Sequence, residues 1–352
     1  MPTLAPARPI SVSPPARPTI PFTDPTTGIP LERRDNTLVN PATNTTLAEI
    51  IDTIPRFVPR GGGYAATFGW QWKKWNDTLS DAANKDNHRH NLILERTHFA
   101  EYNLAGKTLL ECGCGAGNDT EVLLQLPFAE VHAFDLSAAV EEAAPLAART
   151  AADPAMPRLV LSQADINAIP YPDRSFDVVY CHRVLQHTPD PAASIRATCR
   201  KVKPGGLLFA HCYLDSPLMR RHYRHKLRWL GRRLPPSVVV AWLNLTAPLL
   251  HRLNHRIRAR AAKGGAFGLR CQNFSHAWIP MAYSGDMWAH LGRKKVIEIE
   301  KCITFDAITA WHDHPMTPEA FRAVIQSEGF TIEHIQDTIC TARLTNPKEP
   351  LA

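Results

Sequence analysis

Long apolar runs are scarce in this 352-residue sequence. The longest, residues 237–250, contains Pro248 and is shorter than the roughly 20 residues that a membrane-spanning helix needs. The first twenty residues lack the apolar segment of a secretory signal. The eight cysteines form no Cys-x-x-Cys pair, and none precedes Cys112. These absences exclude a disulfide framework, and we expect reduced thiols, a cytoplasmic location and no bound metal ion.

Acidic residues are missing from one long segment. Residues 216–285 contain 13 Lys or Arg and no Asp or Glu, whereas the whole chain has 40 basic and 33 acidic residues. The formal net charge of +7 therefore resides in this segment, and the rest of the chain is net negative. Any partner attracted by charge should meet this segment.

The sequence does contain an alternation of short apolar strands and helical stretches. Strand patterns occur at residues 108–112, 130–135, 159–161, 176–181 and 206–212, and two more at 331–337 and 339–345 form a closing hairpin. Thr317 suits an N-cap, Pro318 the first position of a helix and Gly329 its C-terminal cap. This alternation predicts an α/β fold with a mainly parallel sheet.

The pattern also divides the chain into six segments. Residues 1–21 hold seven prolines and predict a disordered tail. Residues 22–60 predict a small cysteine-free module, and 61–105 an aromatic linker with a helix from about Asn87 to Tyr102, whose apolar side carries Leu92, Leu94, Thr97 and Phe99. The α/β pattern occupies 106–213 and 317–345, and a basic helical insertion interrupts it at 214–316.

A glycine-rich turn follows the first strand of the α/β pattern. Gly113, Gly115 and Gly117 lie between that strand and a helix, where glycine lets the backbone approach a ligand closely. Asp135 ends the next strand, where a carboxylate can bind ribose hydroxyls. Glu111 just before the turn, and a third glycine only two residues after the second, differ from the spacing of dinucleotide-binding proteins.

At these residues the chain resembles class I S-adenosylmethionine (SAM)-dependent methyltransferases, whose first motif reads Glu/Asp-x-Gly-x-Gly-x-Gly. Segments 163–177, 184–191 and 202–207 resemble later motifs of that family in the same order. The resemblance covers 106–213 and 317–345 and implies a Rossmann-like seven-stranded sheet that binds SAM. It implies a cofactor pocket made of Glu111, Gly113, Gly115 and Gly117 at the methionine part, Asp135 at the ribose, Leu136 on the adenine, Asp165 at the adenine amine with Ile166 beside it, and Cys181 near the sulfonium.

Methyl transfer needs proximity, orientation and, for an acceptor with a tightly held proton, a base. Candidate bases are His182 after the fourth strand, His187 one helical turn later, and Asp313 and His314 before the closing helix. His211 in the fifth strand is a further candidate. Each has an alternative as a hydrogen-bonded structural residue.

The insertion at 214–316 is where this family commonly carries a substrate lid. We expect its arginines, Arg220, Arg221 and Arg224 among them, to attract an anionic acceptor. The alternative is a solvated helical face that balances the acidic core. The leading hypothesis is a methyltransferase for a small or lipid-like, anionic acceptor, with peripheral contact to a membrane surface through the insertion. An RNA methyltransferase and a non-catalytic scaffold subunit are the alternatives. Nucleic acid is the minority interpretation, because nothing resembles a dedicated RNA-binding module.

Residues 22–60 resemble the zinc-ribbon-like module that precedes some bacterial methyltransferases. The metal-binding cysteines of such modules are missing here. We therefore expect no zinc in this segment.

Overall fold

The structure, a computed structural model, describes residues 20–61, 63–262, 264–285 and 287–347. The tail expected at residues 1–21 lies outside these ranges except for Ile20 and Pro21. The strands are β1 (Glu32–Arg34), β2 (Thr37–Asn40), β3 (Thr45–Ile51), β4 (Ile54–Arg56), β5 (Thr108–Cys112), β6 (Glu130–Asp135), β7 (Arg158–Gln163), β8 (Phe176–Cys181), β9 (Val202–His211), β10 (Phe330–Gln336) and β11 (Ile339–Leu344).

The helices alternate with the strands of the core and dominate the insertion. They are α1 (Ala66–Trp75), α2 (Asp81–Asn84), α3 (His88–Thr97), α4 (Asn118–Leu123), α5 (Ala144–Ala152), α6 (Pro191–Arg200), α7 (Pro217–Arg220), α8 (Arg224–Gly231), α9 (Pro236–Ala261), α10 (Gly265–Trp278), α11 (Gly292–Thr309) and α12 (Pro318–Ser327).

Seven strands form the core of the sheet, in the order β7-β6-β5-β8-β9-β11-β10. Strands β5 to β9 pair in parallel, and the hairpin β10–β11 joins β9 antiparallel. Every residue of β5 is buried, as expected for a central parallel strand covered on both faces. The predicted α/β class and the seven-stranded core are confirmed.

Local signals fix where the core helices begin and end. The Asp190 carboxylate accepts hydrogen bonds from the first amides of α6, and Pro191 takes its first position. The hydroxyl of Thr317 accepts the amide of Ala320 at the start of α12, and Gly329, with φ of +88°, follows its end. The predicted caps of this helix are thus confirmed.

The helix predicted from Asn87 to Tyr102 is shorter than expected. Helix α3 ends at Thr97, because His98 adopts a left-handed conformation with φ of +55°. The buried side of this region is formed by Ile93, Thr97 and Phe99, whereas Leu92 and Leu94 are half-buried.

The N-terminal segment extends the sheet. Strands β1 to β4 form an antiparallel meander, and β4 pairs in parallel with the edge strand β7 through Arg56 and Gln163. The buried Arg56 donates to Gln163 at 2.9 Å and pairs with Glu141 at 3.1 Å. The described sheet therefore has eleven strands, four more than the predicted core.

Helices α7 to α11 form the insertion between β9 and α12. Trp75 of α1 packs with Leu243 of α9 and Phe305 of α11 in one apolar cluster, which joins the insertion to the N-terminal helix. The buried Glu300 of α11 accepts hydrogen bonds from His251 and His255 of α9 at 2.8 and 3.0 Å. Among the described residues, no helix is long and apolar enough to cross a membrane.

Candidate active site

A cavity of about 580 Å³ opens at the carboxyl ends of the core strands. Three parts of the chain line it: the core turns, the segment from Tyr64 to Arg96, and the insertion. The insertion contributes Leu214, Met219, Tyr283, Ser284, Met287, Trp288, Cys302, Ile303 and Asp306. In an open α/β sheet, ligands bind at this edge.

The glycine turn lies in the cavity wall through Gly113 and Gly115. Gly113 has φ of +81°, and a Cβ there would come within 2.3 Å of Val184, so only glycine fits. A Cβ on Gly115 would lie 3.1 Å from the indole nitrogen of Trp72. Gly117 lies outside the wall, where a Cβ would meet Leu146 of α5, so its role is helix packing.

Asp135 connects strand β6 to the glycine turn. One carboxylate oxygen accepts the Gly115 amide at 2.9 Å, and the other accepts the Ser137 amide and hydroxyl at 2.8 and 2.7 Å. Burial raises the pKa of Asp135, and these hydrogen bonds oppose the rise. Asp135 and Leu136 both line the cavity, and Asp135 also fixes the shape of the turn.

Glu111 lies in the cavity wall at the end of β5. Burial, reinforced by the nearby Asp119 carboxylate, raises the pKa of Glu111 to about 8. The hydroxyl of Thr120 donates to it at 2.6 Å and partly offsets this rise. Glu111 is therefore mostly protonated at neutral pH in this structure.

The remaining predicted cofactor residues divide between the wall and its surroundings. Ile166 lines the cavity, whereas Asp165 lies beside it and accepts the Asn167 amide at 2.8 Å. Cys181 is fully buried in the apolar core and does not belong to the wall. Tyr64, which the sequence did not single out, lines the cavity, and its pKa is raised by burial and by the Asp165 and Asp135 carboxylates.

His182 is held by hydrogen bonds at both ring nitrogens. Arg96 donates to Nε2 at 3.0 Å, so the proton resides on Nδ1, which donates to Asp119 at 2.7 Å. Burial lowers the pKa of His182 to about 4, against the effect of Asp119. The ring of His211 lies 5.1 Å away, and burial together with His182 holds its pKa well below the usual range. Both imidazoles are therefore neutral at pH 7.

His187 has a different environment. Its Nδ1–H donates to the carbonyl of His312 at 3.0 Å, which leaves Nε2 without a proton in the neutral ring. Nε2 lies 3.8 Å from Oδ1 of Asp306, and both residues line the cavity. Within the described part of the chain, this Asp306 oxygen is buried and accepts no hydrogen bond. The pair can accept a proton and stabilise the resulting imidazolium.

Asp313 and His314 lie elsewhere than the sequence suggested. The Asp313 side chain is 1% exposed and accepts from Arg228 at 2.6 Å, with Arg224 at 3.5 Å, so it anchors the insertion helix α8. His314 is exposed and, like Asp313, lies outside the described cavity wall. A buried acid beside two arginines is more stable paired to them than turned toward the cavity.

The arginines expected to attract the acceptor also lie outside the wall. Arg220 pairs with Asp215 at 2.6 Å on the surface, and Arg224 lies over the Tyr213 ring and beside Asp313. Arg221 likewise is not a wall residue. Three other arginines line the cavity instead: Arg89, Arg96 and Arg183.

Two groups of metal-ligand residue types occur in the described ranges, both outside the cavity wall. They are His251 with His255 and Glu300, and His98 with Glu101 and His334. Hydrogen bonds or ion pairs within each group already engage the nitrogens and carboxylates. Neither group lies in the segment 22–60, for which the expectation of no zinc stays a prediction.

Sequence reasoning missed several wall residues. The aromatic run that contains Tyr64, Phe68 and Trp72 was visible, but nothing in its spacing indicated a cavity. Asp306 lies in the last turn of α11, and no motif marks it. Only the folding of the insertion over the strand ends brings it to His187.

Comparison with known proteins yields matches to methyltransferases. The family described as "Methyltransferase domain" matches residues 110–210. A ubiquinone biosynthesis O-methyltransferase from Xanthomonas oryzae pv. oryzae (strain PXO99A) is 32% identical over 181 residues, which span 48% of this chain and 73% of the relative. A ubiquinone biosynthesis O-methyltransferase from Pseudomonas fluorescens (strain SBW25) is 38% identical over 107 residues, which span 30% of this chain and 44% of the relative.

Solved structures that match parts of this chain include the CurJ carbon methyltransferase. It is 12% identical with a TM-score of 0.43, over 82% of this chain and 62% of that one. Magnesium protoporphyrin IX methyltransferase from Synechocystis PCC 6803 with bound SAH is 15% identical with a TM-score of 0.39, over 73% and 84% of the two chains.

Proposed function

The chain belongs to the class I family of SAM-dependent methyltransferases, and we propose that it methylates a hydroxyl oxygen of a small, partly apolar acceptor. The observation that carries this proposal is one cavity lined by the glycine turn and Asp135 and also by His187 and Asp306. The names of the O-methyltransferase relatives support oxygen as the acceptor atom.

The wall residues fit SAM. The backbone at Gly113 and Gly115 is open to the cavity, Asp135 offers a carboxylate to the ribose, and Glu111 offers a buried acid to the methionine part. When bound, SAM supplies an electrophilic methyl group on a sulfonium. The chain then has to orient the acceptor, exclude water and take up the hydroxyl proton.

We assign the proton transfer to His187. Its Nδ1–H is fixed by the His312 carbonyl, so Nε2 carries the lone pair that can accept the proton of the acceptor hydroxyl. As the oxygen–methyl bond forms and the sulfur–methyl bond breaks to release SAH, that proton would pass to Nε2, and the Asp306 carboxylate would stabilise the imidazolium. His182 serves less well, because its Nε2 lone pair already accepts from Arg96.

The test is a turnover assay of SAH formation with a panel of phenolic and catecholic acceptors. His187→Gln should lower kcat by about 10²–10⁴-fold, the usual contribution of a general base, and leave SAH affinity unchanged. The matched control is His314→Gln, an exposed histidine outside the wall, which should retain full activity. Equal activity of His187→Gln and the native protein would show that His187 is not the general base.

We further propose that the insertion is a lid. Met219, Met287, Trp288 and Ile303 give the cavity an apolar side that comes entirely from residues 214–316. Such a surface suits a lipid-like acceptor and keeps water from the reacting oxygen. The acceptor is therefore expected to lie between the core strands and the insertion.

The outer face of the insertion supports contact with an anionic membrane surface. Along α9, Leu245 is 82% exposed and Leu249 70%, and the exposed Arg252, Arg256 and Arg260 continue the same face one or more turns later. Apolar residues followed by basic ones on one face are typical of helices that lie on anionic lipid. An anionic lipid surface also suits this segment because residues 216–285 contain no acidic side chain to repel it.

Vesicle sedimentation tests the surface contact. The native protein should sediment with phosphatidylglycerol vesicles and not with phosphatidylcholine vesicles, and Arg252→Glu with Arg256→Glu should abolish sedimentation. Arg33→Glu with Arg34→Glu, an equal charge change at the far edge of the sheet, is the control. Salt-sensitive binding to RNA, without binding to vesicles, would instead favour the nucleic-acid interpretation.

A further inference from the structure

Positive charge is concentrated where strands β8 and β9 end. Arg89, Arg96 and Arg183 all line the cavity there. Among the described residues, the carboxylate in direct contact with this group is Asp119, which pairs with Arg89 and accepts from Tyr180 and His182. The neighbouring imidazoles are neutral. Within the described ranges, one carboxylate is thus ion-paired with this group of three guanidinium groups.

Arg96 and Arg183 carry the excess positive charge. Among the described residues, neither has a carboxylate within ion-pair distance, and the hydrogen bond that Arg96 makes goes to the neutral His182 ring. Burial, and then the Arg183 charge, lower the pKa of Arg96, which means that the two guanidinium groups repel each other across a partly enclosed space. Arg96 is half-buried and Arg183 is exposed, and both line the cavity, so their positive charge would attract a ligand anion that enters it.

The backbone holds Arg183 at this position. Arg183 has φ of +61°, a left-handed conformation that is unfavourable for a residue with a Cβ. Such strain clusters at ligand sites, where the surrounding structure maintains it. Arg183 directly follows His182, so the turn after β8 presents both side chains to the cavity.

We propose that Arg96 and Arg183 bind an anionic group, a carboxylate or a phosphate, of the methyl acceptor. This inference rests on the proposed function, in which the acceptor occupies this cavity. Guanidinium groups bind such oxyanions with paired, charge-assisted hydrogen bonds. These two residues take the place of the lid arginines expected from the sequence, which lie outside the cavity wall. Of those, Arg220 pairs with Asp215 and Arg224 with Asp313.

The position in the sheet favours the acceptor over the cofactor's own carboxylate. Asp135 ends β6, which lies on one side of β5. Arg183 comes just after β8 and His211 ends β9, and both of these strands lie on the other side of β5. A cofactor that extends from Asp135 to the glycine turn leaves the β8–β9 side for the acceptor. The cofactor's carboxylate is the competing source of the same chemistry, and the experiment has to separate the two.

The first measurement is the affinity of the SAH-saturated protein for phenyl phosphate and for benzoate, followed by tryptophan fluorescence, since Trp72 and Trp288 line the cavity. Arg96→Gln and Arg183→Gln should each weaken both probes by about tenfold or more, the usual loss for a charge-assisted hydrogen bond. Glutamine at position 96 keeps a donor for His182, so the fold should persist. Arg220→Gln, outside the wall, is the matched control and should bind both probes as the native protein does.

The second measurement compares SAH with 5′-methylthioadenosine, which lacks the carboxylate. Unchanged affinity of both arginine variants for both compounds supports the acceptor site. A loss of SAH affinity without a loss of methylthioadenosine affinity would assign the arginines to the cofactor and overturn the proposal, as would equal phenyl phosphate affinity in all variants. If the probes depend on the arginines but no hydroxyl acceptor is methylated, the proposed function fails and the anion site stands.

Discussion

The ionisation of Glu111 makes SAH affinity depend on pH. With a pKa of about 8, about a tenth of the molecules carry the carboxylate at pH 7 and about a hundredth at pH 6. A ligand ammonium group on the methionine side of the pocket favours the carboxylate form. We therefore expect SAH affinity to rise about tenfold from pH 6 to 7 and about fivefold from pH 7 to 8.

Titration calorimetry in two buffers of different ionisation enthalpy measures this coupling. At pH 7 binding should release nearly one proton, because most of the free protein holds the Glu111 proton. Glu111→Gln cannot ionise, so its affinity should be lower at pH 8 and independent of pH, with no proton release. The same affinity at pH 6 and pH 8 in the native protein, or an equal slope in Glu111→Gln, would refute the reasoning.

The same ionisation predicts how stability varies with pH in the absence of ligand. The pKa of Glu111 is about 8 in the folded protein, whereas the ordinary value of 4.5 applies to the unfolded chain. Between pH 4.5 and 8 the folded protein therefore holds a proton that the unfolded chain has lost. The contribution of this group to stability is thus fully present below pH 4.5 and is lost as pH rises to 8. Urea unfolding of the native protein should show this loss, and Glu111→Gln should lack it.

Three further substitutions test the site and the docking of the insertion. Gly113→Ala should abolish detectable SAH binding, because its Cβ meets Val184 at 2.3 Å, and adding Val184→Ala should restore only part of the affinity, since φ stays positive. Asp135→Ala should weaken SAH by about 1.5–3 kcal/mol in calorimetry, and unaltered affinity would exclude a ribose contact. Asp313→Asn should lower the urea midpoint, with a loss of about 3–5 kcal/mol as Arg228 loses its buried partner, and an unshifted midpoint would contradict that pairing.

Much of the core was predictable because its signals are local. Strand β5 reads as a short apolar run, and the glycine turn and Asp135 follow at the spacing that the fold requires. Thr317 and Gly329 mark the ends of α12 by their own side-chain and backbone properties. The hairpin after α12 likewise follows from two adjacent strand patterns.

Other features depend on distant contacts. Strands β1 to β4 are short and turn-rich, and their union with the core sheet depends on Arg56, which meets Gln163 more than a hundred residues away. His98 ends α3 in a left-handed conformation that its residue type does not require. Asp313 was expected at the cavity because it lies just before the closing helix α12, but two arginines of α8 hold it.

The roles of the active-site histidines also depend on contacts with distant parts of the chain. His182 and His187 are similar in sequence, each close to the end of β8, and only their partners distinguish them. Arg96 and Asp119 engage both nitrogens of His182, whereas His187 keeps Nε2 free to accept a proton beside Asp306. Those partners come from three separate parts of the chain, so no local pattern could reveal them.

The most direct test of the central claim, that the acceptor reacts between the core strands and the insertion, is a crystal structure with bound SAH. We expect the ribose at Asp135 and the sulfur facing a space bordered by His187, Arg183 and residues of α11. A sulfur that faces away from the insertion, with His187 and Asp306 remote from it, would contradict the account.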